Sequence, residues 1–192
     1  MKVFGLVFVS ILSLVLVRTG DAAELEGVKM EDNLSLAEKK LSLNGLALRK
    51  VSKFGIPIKV YVAGLYLEEK SEDGDKVISG DKSKFLEMEF VRNVEKEQIT
   101  EAWSEAVFNG CIVDCDAYKG PLKEFNSLMG EMRKGQRMSL TFYPDRLEVD
   151  QKGRNPKKGS ITSKSFAKNL LAIFIGPKMF SQEVKDSLLG KK

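Results

Sequence analysis

Histidine is absent from the 192 residues. That excludes a Ser-His-Asp triad, a Cys-His dyad and every histidine-based zinc site. Two cysteines, Cys111 and Cys115, are too few by themselves for the usual four-ligand zinc centre. Their spacing is not the C-x-x-C of a redox motif. In an oxidising compartment it leaves a short-range disulfide and a pair of thiols equally open. There is no basic stripe with interleaved aromatics. The formal charge is +4, with lysines scattered as on a solvated surface, so nucleic acid is not an expected partner. Internal repeats, low-complexity tracts and domain linkers are also missing.

One long apolar run is present, at residues 3–17, after Lys2 and before Arg18-Thr19-Gly20-Asp21-Ala22-Ala23. A basic start, an apolar stretch and small residues at a cleavage point make an export leader. At about 15 residues the run is short of the ~20 that span a bilayer; a retained N-terminal anchor is the alternative. We therefore expect residues 1–23 to be a signal peptide and 24–192 one domain. The mature chain is then periplasmic or secreted, with no stable membrane insertion. Its 43% hydrophobic and 30% charged content is that of an ordinary globular protein.

The centre of the chain is residues 43–67, LNGLALRKVSKFGIPIKVYVAGLYL. Two extended apolar runs, 43–52 and 58–67, flank a break holding Gly55 and Pro57, which predicts a hairpin. Centring it on Gly55 places Arg49 across from Tyr61, on one face of a sheet. Both strands are apolar on both faces, hence buried. A buried guanidinium needs an acceptor. The sequence leaves that acceptor open between an internal acid, such as Glu87 or Glu89, and a ligand. Gly45, inside the first strand, signals a bulge or a close backbone approach.

Elsewhere, alternation predicts a strand at 84–91 and a hairpin at 136–149 turning at Pro144-Asp145. A period near 3.6 predicts a helix at 95–109, capped by Asn93, and a second at 119–133. Trp103 and the Met and Phe residues of these helices read as core. Residues 68–83 and 152–158 read as charged loops, the first with one helical turn. Hydroxyls at 160–163 offer an N-cap for a helix that ends at Gly176-Pro177, and Ser181 caps a last short helix. The order is α+β: an antiparallel sheet packed against a layer of helices.

These motifs resemble a known family. LNGLALRK followed by IKVYVAGLYLEE is similar to the strand pair of the chalcone isomerase fold, and IFIGPKMFSQEVKDSLLG to its final helices. The description it resembles is a secreted bacterial chalcone isomerase-like protein, an open sandwich with a ligand cleft between sheet and helices. In the plant enzymes an arginine matching Arg49 contacts the substrate oxygen, and a threonine stands where this chain has Tyr61. A tyrosine and an asparagine of the following helix align with Ile99 and Ala106, which have no polar side chain. A threonine or serine aligns with Ser160. The cyclisation apparatus is thus incomplete. An arginine with a tyrosine instead resembles the fatty-acid-binding members, where the two hold the lipid carboxylate.

The expectation is a non-catalytic protein that binds a fatty acid or similar amphipathic carboxylate through Arg49, Tyr61 and Ser160. It includes no catalytic residue, metal or cofactor. The alternative is an isomerase or intramolecular lyase of the chalcone isomerase type, acting on an unsaturated carbonyl compound.

Overall fold

The computed structural model describes residues 22–191. The expected leader therefore lies outside the described residues, apart from Ala22 and Ala23, which begin β1 (Ala22–Leu25). This strand forms a small separate hairpin with β2 (Val28–Glu31). The main sheet has seven antiparallel strands in chain order: β3 (Asn33–Leu36), β4 (Lys39–Lys53), β5 (Ile56–Leu67), β6 (Lys84–Phe90), β7 (Arg137–Phe142), β8 (Leu147–Lys152) and β9 (Lys157–Ile161). Between β5 and β6 lies α1 (Gly74–Ser79), and between β6 and β7 lie α2 (Lys96–Gly110) and α3 (Lys119–Ser127). The chain closes with α4 (Lys164–Ile175) and α5 (Gln182–Leu188).

Period-two alternation divides the sheet into two faces. The inner face carries Ala47, Tyr61, Ala63, Leu65, Met88, Phe90, Met138 and Leu140, all buried in one core with Trp103, Phe125, Phe166, Phe174 and Leu188 of the helices. The outer face carries Leu43, Val62 and Tyr66, partly covered by Val28 and Met30 of the small hairpin and by Leu34 and Leu36 of β3.

The β4–β5 hairpin is tighter than the sequence proposes. Its loop is Phe54-Gly55, both with positive φ (54° and 78°), and Lys53 already pairs with Ile56. That register alone would set Arg49 opposite Val60. A bulge intervenes: Lys50 pairs with Lys59, Arg49 pairs with Tyr61, and Val60 is the extra residue. A second bulge lies between Leu43 and Gly45. There α5 crosses β4 so closely that a Cβ on Gly45 would stand 2.0 Å from the Ser187 carbonyl oxygen. The bulged Asn44 ties the junction, donating to Leu188 O at 2.8 Å and accepting from Ser71 N at 2.8 Å.

Three expectations need correction. Helix α2 is capped by Glu95, whose N–H donates to Gln98 Oε1 at 3.2 Å, while Asn93 accepts from Lys134 N instead. Helix α3 ends at Ser127, because the chain beyond it is recruited to the sheet side. Gly130 N donates to Gln151 Oε1 at 2.9 Å, and Val94 and Met132 exchange backbone bonds. The basic loop at 152–158 is shorter than expected, since Lys157 begins β9 and pairs with Gln151.

Candidate functional site

Arg49 and Tyr61 share the inner face, as paired neighbours on β4 and β5. Arg49 is half-buried. One guanidinium N–H donates to the carbonyl of Lys50 at 2.7 Å, and the ring of Phe180 lies 4.6 Å from its central carbon. Among the described residues no carboxylate pairs with it. A guanidinium has five N–H donors in its plane. Phe180 covers a face of that plane, so the in-plane donors beyond the one given to Lys50 are not taken up by it.

Tyr61 is 8% exposed, its ring packed on Phe90 at 5.6 Å. Burial pushes its phenol up to about 12, opposed by the positive charge of Arg49. It is therefore a neutral donor at any physiological pH. Its hydroxyl makes no hydrogen bond to another described residue.

A cavity of about 330 Å³ opens beside Arg49, between β4 and the helices α2 and α4. Val51, Ala106, Ile173 and Phe180 give it apolar wall; Glu105 and Lys178 add one charge of each sign. Tyr61 is not part of that wall. Behind the cavity the aromatic rings of the helical layer run on edge. Phe180 meets Phe174 at 5.5 Å, Phe174 meets Trp103 at 5.9 Å, and Trp103 meets Phe125 at 5.4 Å. The loop after α4 sets Phe180 in place, with its N–H donating to Ile173 O at 2.9 Å.

The two helical walls are fastened to each other. Cys111 and Cys115 are disulfide-bonded just past α2, with Cα atoms 5.8 Å apart. Buried Asn169 of α4 accepts from Ile112 N at 3.0 Å and Val113 N at 3.1 Å, and donates to Val113 O at 2.7 Å. Neither Asn169 nor Phe180 was expected from the sequence. Asn169 does leave a signal, as a lone Asn in the apolar run of 166–175; Phe180 leaves none.

Ser160 is not brought to this site. It lies on β9, at the far edge of the sheet from β3, where it pairs with Glu148 of β8 and is exposed. Because Ile161 points into the core, its neighbour must point out, so Ser160 lies on the face opposite Arg49. The same alternation removes the internal acids. Glu87 and Glu89 sit on the outer face, where Arg137 bonds Glu87 at 2.9 Å and Glu89 at 2.8 Å and donates to Lys29 O at 3.0 Å. Of the positions aligned with the isomerase's polar helix residues, Ile99 is buried core and Ala106 is cavity wall.

A second cavity, of about 240 Å³, lies between the end of β5 and α1. Its charges are mostly paired, Glu68 with Lys39 at 2.7 Å and Glu69 with Lys82 at 2.5 Å. Burial lowers Lys84 there to about 8, and its amine caps the Gly80 carbonyl at the end of α1. Among the described residues no cluster of acids and cysteines is placed to hold a metal ion.

The comparison with curated proteins gives no match. Among solved structures, a fatty-acid binding protein of Arabidopsis thaliana superposes with a TM-score of 0.74 at 19% identity, over 88% of this chain and 96% of that one. An identity this low speaks for the fold alone. The sequence model described as chalcone isomerase-like matches residues 22–190, nearly everything the structure describes, and the chain belongs to the chalcone isomerase-like family.

Proposed function

We propose that this protein is a non-catalytic carrier for a fatty acid or similar amphipathic carboxylate, with the carboxylate held by Arg49 and Tyr61. The observation that carries this reading is the guanidinium itself. It is half-buried and stacked on an aromatic ring, and among the described residues no carboxylate is ion-paired with it, although Glu105 shares the cavity wall. A buried charge without a counter-charge is costly, and an in-plane carboxylate would relieve that cost through bidentate bonds. The neutral phenol of Tyr61 adds a donor from the paired strand. Ser160, on the other face, takes no part.

The acyl chain lies in the apolar space between sheet and helices. The cavity of about 330 Å³ is at the small end of ligand pockets, ~300–1,000 Å³. A long chain therefore requires Phe180, which lines the cavity, to swing aside. Fatty-acid binding by a solved relative of the same fold supports this class of ligand. An isomerase would need a proton donor or activated water; Ile99 and Ala106 supply neither. Export to the periplasm or outside the cell accords with the Cys111–Cys115 disulfide.

The test is extraction of the recombinant protein and mass spectrometry of what is released. A free fatty acid is expected from wild type and not from Arg49→Ala. Wild type that yields no acidic amphiphile, and takes up none when it is added, contradicts the reading.

A further inference from the structure

Among the described residues, five large apolar side chains are exposed, and three of them crowd one hairpin end: Val51 at 37%, Phe54 at 94% and Ile56 at 66%. The turn between β4 and β5 does not require an aromatic. Phe54-Gly55 has φ of 54° and 78°; Glu26-Gly27, between β1 and β2, has φ of 55° and 78°. The same left-handed backbone is thus met elsewhere in this chain by a charged residue. A bulky residue is the poorer choice for it, since positive φ favours Gly, Asn or Asp.

The segment's own charges have one sign. Residues 50–59, KVSKFGIPIK, hold three lysines and no acid. Lys50 and Lys59 reach out of the segment to Glu183 and Glu26. Exposed pairs of this kind are weak and readily exchanged for other anions. An apolar tip flanked along the chain by Lys50 and Lys59 matches the boundary of an anionic bilayer, with rings and aliphatic groups at the acyl edge and ammonium groups among the phosphates. Three side chains on a projecting turn are far short of the ~800 Å² per partner of a stable protein interface, which favours a lipid surface over a protein.

The tip is continuous with the candidate site. Val51 belongs both to the tip and to the wall of the Arg49 cavity. Arg49 itself stands five residues from Phe54, roughly 17 Å at ~3.3 Å per residue. We infer that the β4–β5 hairpin tip, through Val51, Phe54 and Ile56 and the lysines around them, docks on an anionic lipid surface and brings the Arg49 cavity to it. The docking stands on the hairpin alone; its use in loading a fatty acid rests on the proposed function.

The experiment is vesicle flotation of the chain as recovered after export. Vesicles of phosphatidylcholine alone are compared with vesicles that also contain phosphatidylglycerol. Wild type is expected to float with the anionic vesicles, less with the neutral ones, and less at high salt. Phe54→Ser with Ile56→Ser is expected to cut flotation roughly tenfold or more, with an unchanged melting temperature. Three results overturn the inference: wild type that stays in solution, a double variant that floats as well as wild type, or self-association that the same substitutions abolish without any vesicle binding. Fatty-acid titration in solution separates the two proposals. A double variant that binds the acid but not vesicles isolates the docking step. Wild type that docks but binds no acid sustains the docking and sinks the carrier reading.

Discussion

Two half-buried arginines stand on opposite faces of one sheet, and their surroundings differ in kind. Arg137, outside, is held by two glutamates and a backbone carbonyl. Arg49, inside, has a phenylalanine ring and one carbonyl. The difference follows from alternation: β6 reads KFLEMEF, so both of its acids face out while Leu86, Met88 and Phe90 face in. The sheet itself keeps the carboxylates of β6 from Arg49. One arginine is fully engaged by the structure, and the other keeps in-plane donors that no described carboxylate takes up.

Exchanging the two arginines' roles by mutation gives the largest effects. Arg49→Ala should weaken fatty-acid binding by about 2–5 kcal/mol, more than tenfold, because a buried charged partner is removed. Its melting temperature without ligand should stay close to that of wild type, as no acid is orphaned. Arg137→Ala should do the reverse. It strands Glu87 and Glu89, which are 15% and 20% exposed. Breaking a fully buried pair costs ~3–5 kcal/mol; solvent screening at this partly open site reduces that to about 1–3 kcal/mol. Denaturant unfolding should show the loss, with fatty-acid affinity unaltered.

Tyr61→Phe should cost binding less than Arg49→Ala does, roughly 0.5–1.5 kcal/mol for one neutral donor, measurable in the same titration. It should also separate the two faces at high pH. Burial raises both Tyr61, inside, and Tyr66, outside, from 10.0 to about 12. The folded state therefore favours the neutral phenols. Their contribution is complete below pH 10 and is lost as pH rises from 10 toward 12. Tyr61→Phe should leave a shallower alkaline fall in melting temperature, with the remainder due to Tyr66.

The pairing of Arg49 with Tyr61 was legible in the sequence, though through two departures that cancel. A hairpin centred on Gly55 gives the pair directly. The real turn is Phe54-Gly55, which shifts the register by one residue, and the bulge at Val60 shifts it back. Neither is readable from residues 58–67, because that segment is apolar on both faces and has no phase to follow. Where one face is polar the phase is clear, and β6, β7 and α2 were placed from sequence to within a residue or two. Strand β9 escaped because KKGSI has a single buried large side chain, Ile161. Ser160 was carried over from the family resemblance, and its face could not be read from the sequence because it is decided by the pairing of Ile161 with Leu147. Phe180 reaches Arg49 only through the loop that ends α4, a tertiary contact without local signature.

The comparison of the two arginines is tested most directly by titrating a fatty acid and its methyl ester into wild type and Arg49→Ala. If Arg49 recognises the carboxylate, wild type prefers the acid to the ester by more than tenfold, and Arg49→Ala lowers acid affinity toward that of the ester while leaving the ester nearly unchanged. If acid and ester bind wild type alike, and both respond alike to Arg49→Ala, then Arg49 serves the fold as Arg137 does, and the assignment of a carboxylate site to the inner face is wrong.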